Sequence, residues 1–185
     1  MKRNLFGKTM LATVSMSAMA GLALSGCGSD NNTTTTSAAA GSAGGFGELV
    51  PADEAKSAIQ GIIGDRAIDL NWMIGSDPLP KPAVKIILNL SLLLVDALVR
   101  GGRLDIGCEN QGGDTEIALH VEADRIFLDA DVERILADGE GASAMTSRTA
   151  PAVLVQAVAK QNDGTVMLAR ETPTSLLVGA VLRGR

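Results

Sequence analysis

The stretch that most restricts the fold of this chain is "AVKIILNLSLLLVDALVRGG", residues 83–102, the most apolar run of the body. Lys85 and Asp96 bracket its apolar centre, residues 86–95. That centre falls far short of the roughly 20 residues needed to cross a bilayer. The run is therefore predicted as a core helix, apolar round most of its girth and stopped by the backbone freedom of Gly101-Gly102. Such a helix has to be enclosed, so its neighbours must supply the other layer.

They carry the patterns to do so. Residues 51–63 repeat Ala55, Ala58, Ile59, Ile62 and Ile63 at helical spacing, with Pro and acidic residues in the first turn and Gly64 after the last. Residues 66–74 alternate Ile68, Leu70 and Trp72 with Asp69, Asn71 and Met73, as a half-buried strand does. Pro78, Pro80 and Pro82 predict an irregular connection. Residues 103–109 and 115–121 also alternate, with Leu104, Ile106 and Cys108 matching Ile117, Leu119 and Val121 across a hairpin loop at 110–114. "DADVERILADGE" reads as a short helix with an acidic start. Thr149-Ala150-Pro151 opens another helix to about residue 161, and strands at 166–170 and 175–182 follow, joined near Pro173. The order α-β-α-β-β-α-α-β-β predicts a two-layer α/β sandwich, a mixed sheet with helices on one face.

In front of this body stands a different kind of sequence. Lys2, Arg3 and Lys8 form a short cationic region, and residues 9–24 form an uncharged apolar stretch ending in small residues. That is the anatomy of an export signal, against a transmembrane anchor that Gly21 and the interspersed Ser and Thr argue against. Leu24-Ser25-Gly26-Cys27 resembles the lipobox of bacterial lipoproteins, which implies diacylation of the Cys27 thiol and cleavage before it. Gly28, in place of an Asp, favours the outer membrane by the same resemblance. Residues 29–45 hold only Asp, Asn, Thr, Ser, Ala and Gly, a composition that buries nothing and reads as a tether. The expected organisation is a signal peptide at 1–26, a lipidated cysteine and tether at 27–46, and one α/β domain at 47–185.

Charge and composition exclude several functions. Three of the 16 basic residues lie in the leader, leaving 13 against 21 acidic ones and a net charge of −8, which disfavours nucleic-acid binding. One histidine and one cysteine behind the leader cannot assemble the usual zinc site. Cys108, alternating with Leu104 and Ile106, reads as a small buried hydrophobe. The eleven carboxylates and two arginines of residues 105–140 read as a solvated rim, because no Asp-x-Asp-x-Asp-Gly loop orders them for a cation. No Ser, Cys or Lys has a convincing base partner.

The body also resembles the C-terminal domain of the histidine phosphotransferases exemplified by ChpT, a degenerate relative of the sensor-kinase ATP-binding (Bergerat, or GHKL) fold. The resemblance rests on Leu70-Asn71-Trp72 near the family's Leu-Asp-Trp, the Pro-containing joint, Leu88-Asn89 followed by Ala97-Leu98 and Gly101-Gly102, and the Gly164-x-Val166-x-Leu168 strand. It implies a phosphorelay module that docks response-regulator receivers. Asn89 stands where kinases of the superfamily place an asparagine that helps hold magnesium and nucleotide phosphates. The Asp-x-Gly-x-Gly loop that should accompany it is replaced by residues 121–127, which contain no glycine. No nucleotide cofactor is therefore expected. The family's phosphoacceptor helix would lie upstream of residue 46, where this sequence has its leader and tether, and without that bundle the resemblance implies a monomer. His120, alternating with Glu116, Ala118 and Glu122, is expected as a strand-surface residue and not as a phosphoacceptor. The catalytic, cofactor and metal assignments are accordingly none, and Cys27 is the single assigned site.

Overall fold

The computed structural model describes residues 49–139 and 145–184, so the leader, Cys27 and the tether lie outside the described residues. Helix α1 (Ala52–Ile63) follows Pro51, buries Ala52, Ala55, Ile59 and Ile63 as one stripe, and ends at Gly64 with φ at 56°. Helix α2 (Lys81–Ala97) starts behind Pro80 with Pro82 in its first turn, where a missing N–H costs nothing. It buries Ile86, Ile87, Leu90 and Leu94 completely. The helix stops at Ala97, four residues before the glycine expected to end it.

Those glycines have another role. Gly101 and Gly102 take φ values of 86° and 146°, and a Cβ would collide with the carbonyl oxygen of Ala67 at Gly101 and with that of Glu122 at Gly102. The Gly102 N–H also donates to Ala67 O at 3.0 Å. Only residues without side chains let the chain pass this closely between two strands.

Strands β2 (Ile68–Trp72), β4 (Gly102–Gln111), β5 (Asp114–Glu122), β6 (Thr165–Thr172) and β7 (Ser175–Leu182) form the main sheet in the order β2-β4-β5-β7-β6. Strands β2 and β4 are parallel, and α2 supplies the crossover that a parallel pair requires. Strand β4 turns through Gly112-Gly113, both at positive φ, into antiparallel β5, with Gln111 opposite Asp114. The five-residue loop expected there is thus a two-residue turn. Strands β6 and β7 form the last hairpin, and β7 pairs with β5. One small element departs from expectation: β1 (Leu49–Val50) pairs antiparallel with β3 (Leu79–Pro80), inside the connection predicted as irregular.

Helix α3 (Ala130–Asp138) is capped by Asp129, whose side chain accepts from Asp131 N–H, and ends at left-handed Gly139. Helix α4 (Ala150–Gln161) packs against both α2 and α3, while α1 packs on the other flank of α2. Leu104, Ile106, Leu119, Val121, Leu176 and Val178 point from the sheet into this helical layer and are fully buried. Each such side chain stabilises the fold by about 1.5–3 kcal/mol. The opposite sheet face carries no helix among the described residues.

Candidate functional site

Strand alternation brings three polar side chains side by side on that open face. Register places Asn71 beside Asp105 and Asp105 beside His120. Asp105, only 5% exposed, accepts from Asn71 Nδ2 at 2.9 Å through Oδ1, and from Arg103 Nε and Nη2 at 3.0 and 2.8 Å through Oδ2. His120 Nδ1 lies 3.2 Å from the same Oδ2, and Nε2 lies 2.9 Å from Ser175 Oγ. An ionised carboxylate can only accept, which assigns the proton to Nδ1 and leaves Nε2 to accept from the serine in the neutral ring. Burial pushes the Asp105 carboxyl up, but the hydrogen bonds from Asn71, His120 and Arg103, with the charge of Arg103, outweigh it and hold the group below the ordinary carboxylate range. The same hydrogen bond raises Arg103, whose guanidinium also reaches Glu122 at 3.4 Å.

His120 therefore keeps its expected strand and face but not its expected freedom. Its side chain is 17% exposed and both ring nitrogens are engaged. The connectivity Ser175–His120–Asp105 is that of an acyl-transfer nucleophile, in which the carboxylate supports an imidazolium. Here Arg103 forks onto that carboxylate and compensates its charge. Ser175 stands at the start of a strand paired with Glu122. The cluster ties β2, β4, β5 and β7 together. Sequence reading took its members singly, although a hairpin centred on Gly112-Gly113 by itself sets residue 105 opposite residue 120.

Asn89, which the resemblance alone set against nucleotide phosphates, donates its amide N–H to Lys85 O at 2.7 Å, turned back along its own helix. Residues 121–127, expected in place of a glycine loop, finish β5 at Glu122 and are then strapped down. Ala123 N–H donates to Thr174 O and Phe127 N–H to Ala97 O, and Ile126 is buried between them. Phe127, one of the three large rings behind the leader, lies 47% exposed under the Arg125 guanidinium, 4.3 Å from its centroid. Cys108 is buried as expected, its thiol pushed up to about 11 by burial and by the charge of Glu109, so it is a poor nucleophile.

Clefts open elsewhere. One of about 440 Å³ lies between α3, α4 and β6, with Ile135, Val153 and Val166 among its walls and Lys160 and Asp138 at its rim. Gln156 closes one side by donating to the carbonyls of Ile135 and Leu136. Another, of about 420 Å³, lies at the end of α2 beside Arg66 and Arg100. Neither is lined by Asn89 or His120. Among the described residues no cluster of His, Cys, Asp and Glu could hold a metal ion, and no helix is long and apolar enough to cross a membrane.

Residues 52–174 match the family model of the histidine phosphotransferase C-terminal domain, well over half of the chain. The chain belongs to this family. Among solved structures, this histidine phosphotransferase C-terminal domain is similar to a bacterial phosphotransferase, with a TM-score of 0.62 and 16% identity over 71% of the chain and 64% of that protein. It thus spans under two thirds of the length of that relative. It is also similar to the mycobacterial sensor histidine kinase MprB, TM-score 0.53 and 16% identity over 75% of the chain and 99% of the other. The catalytic domain of histidine kinase ThkA gives a TM-score of 0.55 at 11% identity, covering 74% and 97%. No curated protein matches. The fold is that of the histidine-kinase ATP-binding domain, a mixed sheet with helices on one face.

Proposed function

We propose that this chain is a histidine-phosphotransferase-like module of a two-component phosphorelay that docks response-regulator receivers without itself carrying phosphate. The observation behind this reading is the family match over residues 52–174 on a kinase-type fold whose own histidine is tied up. With both ring nitrogens of His120 engaged on a strand, an incoming phosphoryl group would have to displace Asp105 or Ser175. One N–H of the Asn89 amide is turned back onto its own helix instead of outward toward a ligand.

The leader motivates a second reading. Lys2, Arg3 and Lys8, the apolar stretch after them and Leu24-Ser25-Gly26-Cys27 support export, lipidation at Cys27 and an envelope location with the outer membrane favoured. The body then acts as a ligand-binding or structural domain of a lipoprotein. Compartment separates the two readings, because phosphorelays run on cytoplasmic ATP and a lipoprotein of the outer membrane has no access to it.

The test is label transfer from a panel of phosphorylated receiver domains, run beside His120→Ala, with equilibrium binding and sedimentation measured on the same samples. Saturable receiver binding by a monomer, with no acid-labile label on the chain, is expected. Absence of binding to every receiver would end the phosphorelay reading. Acid-labile label lost in His120→Ala would make His120 a phosphoacceptor.

A further inference from the structure

The open sheet face is not uniformly polar. Met73 follows β2 and donates its N–H to Ile106 O, which brings it beside Gly107. Gly107 is in register with Ala118, Ala118 with Gly179, and Gly179 with Met167, so a continuous apolar row crosses all five strands. Leu177, Val181 and Ala169 widen it along β7 and β6. The two glycines and the alanine keep its middle flat. The methionines at its ends are 46% and 62% exposed, and their thioethers adapt to varied surfaces.

One border of this row is electrostatically unusual. Glu109 and Glu116 face each other directly across β4 and β5, both exposed, and Glu116 is in turn in register with Val181 of the apolar stripe. Like charges directly opposite on a sheet oppose the pairing. Neighbouring carboxylates of the face are compensated: Asp105 and Glu122 share Arg103, and Asp114 pairs with Arg183. The Glu109–Glu116 pair has no cation within ion-pairing distance among the described residues.

We propose that this face is the docking surface for a partner protein that lays an apolar stripe along Leu177, Gly179 and Val181 and seats a Lys or Arg between Glu109 and Glu116. Charge selects this occupant. A second copy of the chain would bring the same carboxylate pair, and an anionic lipid surface would be repelled by it. A cationic partner relieves the repulsion and covers the apolar row in one step. The proposal concerns a surface other than the kinase nucleotide position and does not rest on the partner being a receiver.

Methionine methyl NMR on the full chain tests it, because Met73 and Met167 report on the row while Met145, 67% exposed, lies outside it. The probe is a synthetic helical peptide with a Leu/Ala face bordered by lysines, compared with the same peptide carrying glutamates in their place. Saturable shifts of Met73 and Met167, without Met145, are expected for the lysine peptide only. Gly179→Lys, whose Cβ would meet Ile117 O at an ordinary contact distance of 3.5 Å, should abolish them. Glu109→Gln with Glu116→Gln should weaken binding about tenfold and flatten its salt dependence, and this holds the test open if Gly179→Lys does not fold. Equal binding of the glutamate peptide, unchanged binding in the double variant, or Met73 and Met167 shifts that follow only the concentration of the chain itself would each overturn the proposal. So would shifts that appear on removing residues 1–26 instead of adding peptide.

Discussion

Asn71 Nδ2 donates a 2.9 Å hydrogen bond to Asp105 Oδ1, joining the edge strand β2 to β4 through side chains as well as backbone. Asp105 is at the same time the acceptor for Arg103 and His120. Its removal therefore takes the acceptor from three side chains at once, of which Arg103 alone keeps another acceptor, Glu122. Asp105→Ala is expected to lower stability by about 3 kcal/mol, and Asn71→Ala by about 1–2 kcal/mol. Urea unfolding of the two variants and of the double mutant checks this, since a shared bond makes the losses less than additive.

The same carboxyl gives a pH dependence with a defined sign. Its folded-state pKa is lowered, so its stabilisation is fully present above the unfolded value of about 3.9 and is lost as pH falls through the lower folded value. Stability of the wild type should therefore fall on acidification below about pH 4. Asp105→Asn should start lower and fall less. Asp114 and Asp129, also lowered by hydrogen bonds and by Arg183 and Arg148, will leave the variant a residual slope.

Ser91 offers the opposite kind of variant. Its hydroxyl is fully buried on the inner side of α2 and has no hydrogen-bond partner among the described residues. Ser91→Ala removes an unsatisfied polar atom and places a better helix former there. The substitution is expected to raise stability by about 1 kcal/mol, read as a higher urea midpoint with an unchanged slope.

For Cys27, expression in a Gram-negative host should give a chain that incorporates labelled palmitate and partitions into detergent. Cys27→Ser should lose both properties. Recovery of an unprocessed, soluble product retaining Met1 would defeat the lipoprotein reading.

For nucleotide, calorimetry with ATP and magnesium should show no saturable heat. Micromolar binding that disappears in Asn89→Ala would require the Asn89 side chain to leave Lys85 O and residues 121–127 to release their straps, and would refute the degenerate assignment.

Much of this fold was legible because burial obeys period. The alternation of Leu104, Ile106, Leu119 and Val121 gave strands and faces, and the stripe of α1 gave a helix, since one-sided burial imposes both patterns. Gly101-Gly102 misled, because a glycine past an apolar run looks the same in sequence whether it ends a helix or clears a path past Ala67 and Glu122. The β1–β3 pair was hidden for a related reason: two-residue strands have no period. The polar cluster was only half visible. Its residues are scattered over β2, β4, β5 and β7, and nothing local to Asp105 announces that it would be buried.

The strand order has a kinetic consequence. The β4–β5 and β6–β7 hairpins close over two-residue turns, so their ladders form from contacts near in sequence, whereas β2 reaches β4 only after the whole of α2 has crossed over. Contacts of long sequence separation are made late and at greater entropic cost. The β5–β7 ladder, whose partners lie 53–67 residues apart against 34 for β2 and β4, is thus the last seam of the sheet to close, whereas β2, an edge held by one parallel neighbour, is the first to open, and its backbone amides should exchange with solvent ahead of those in β5 and β7.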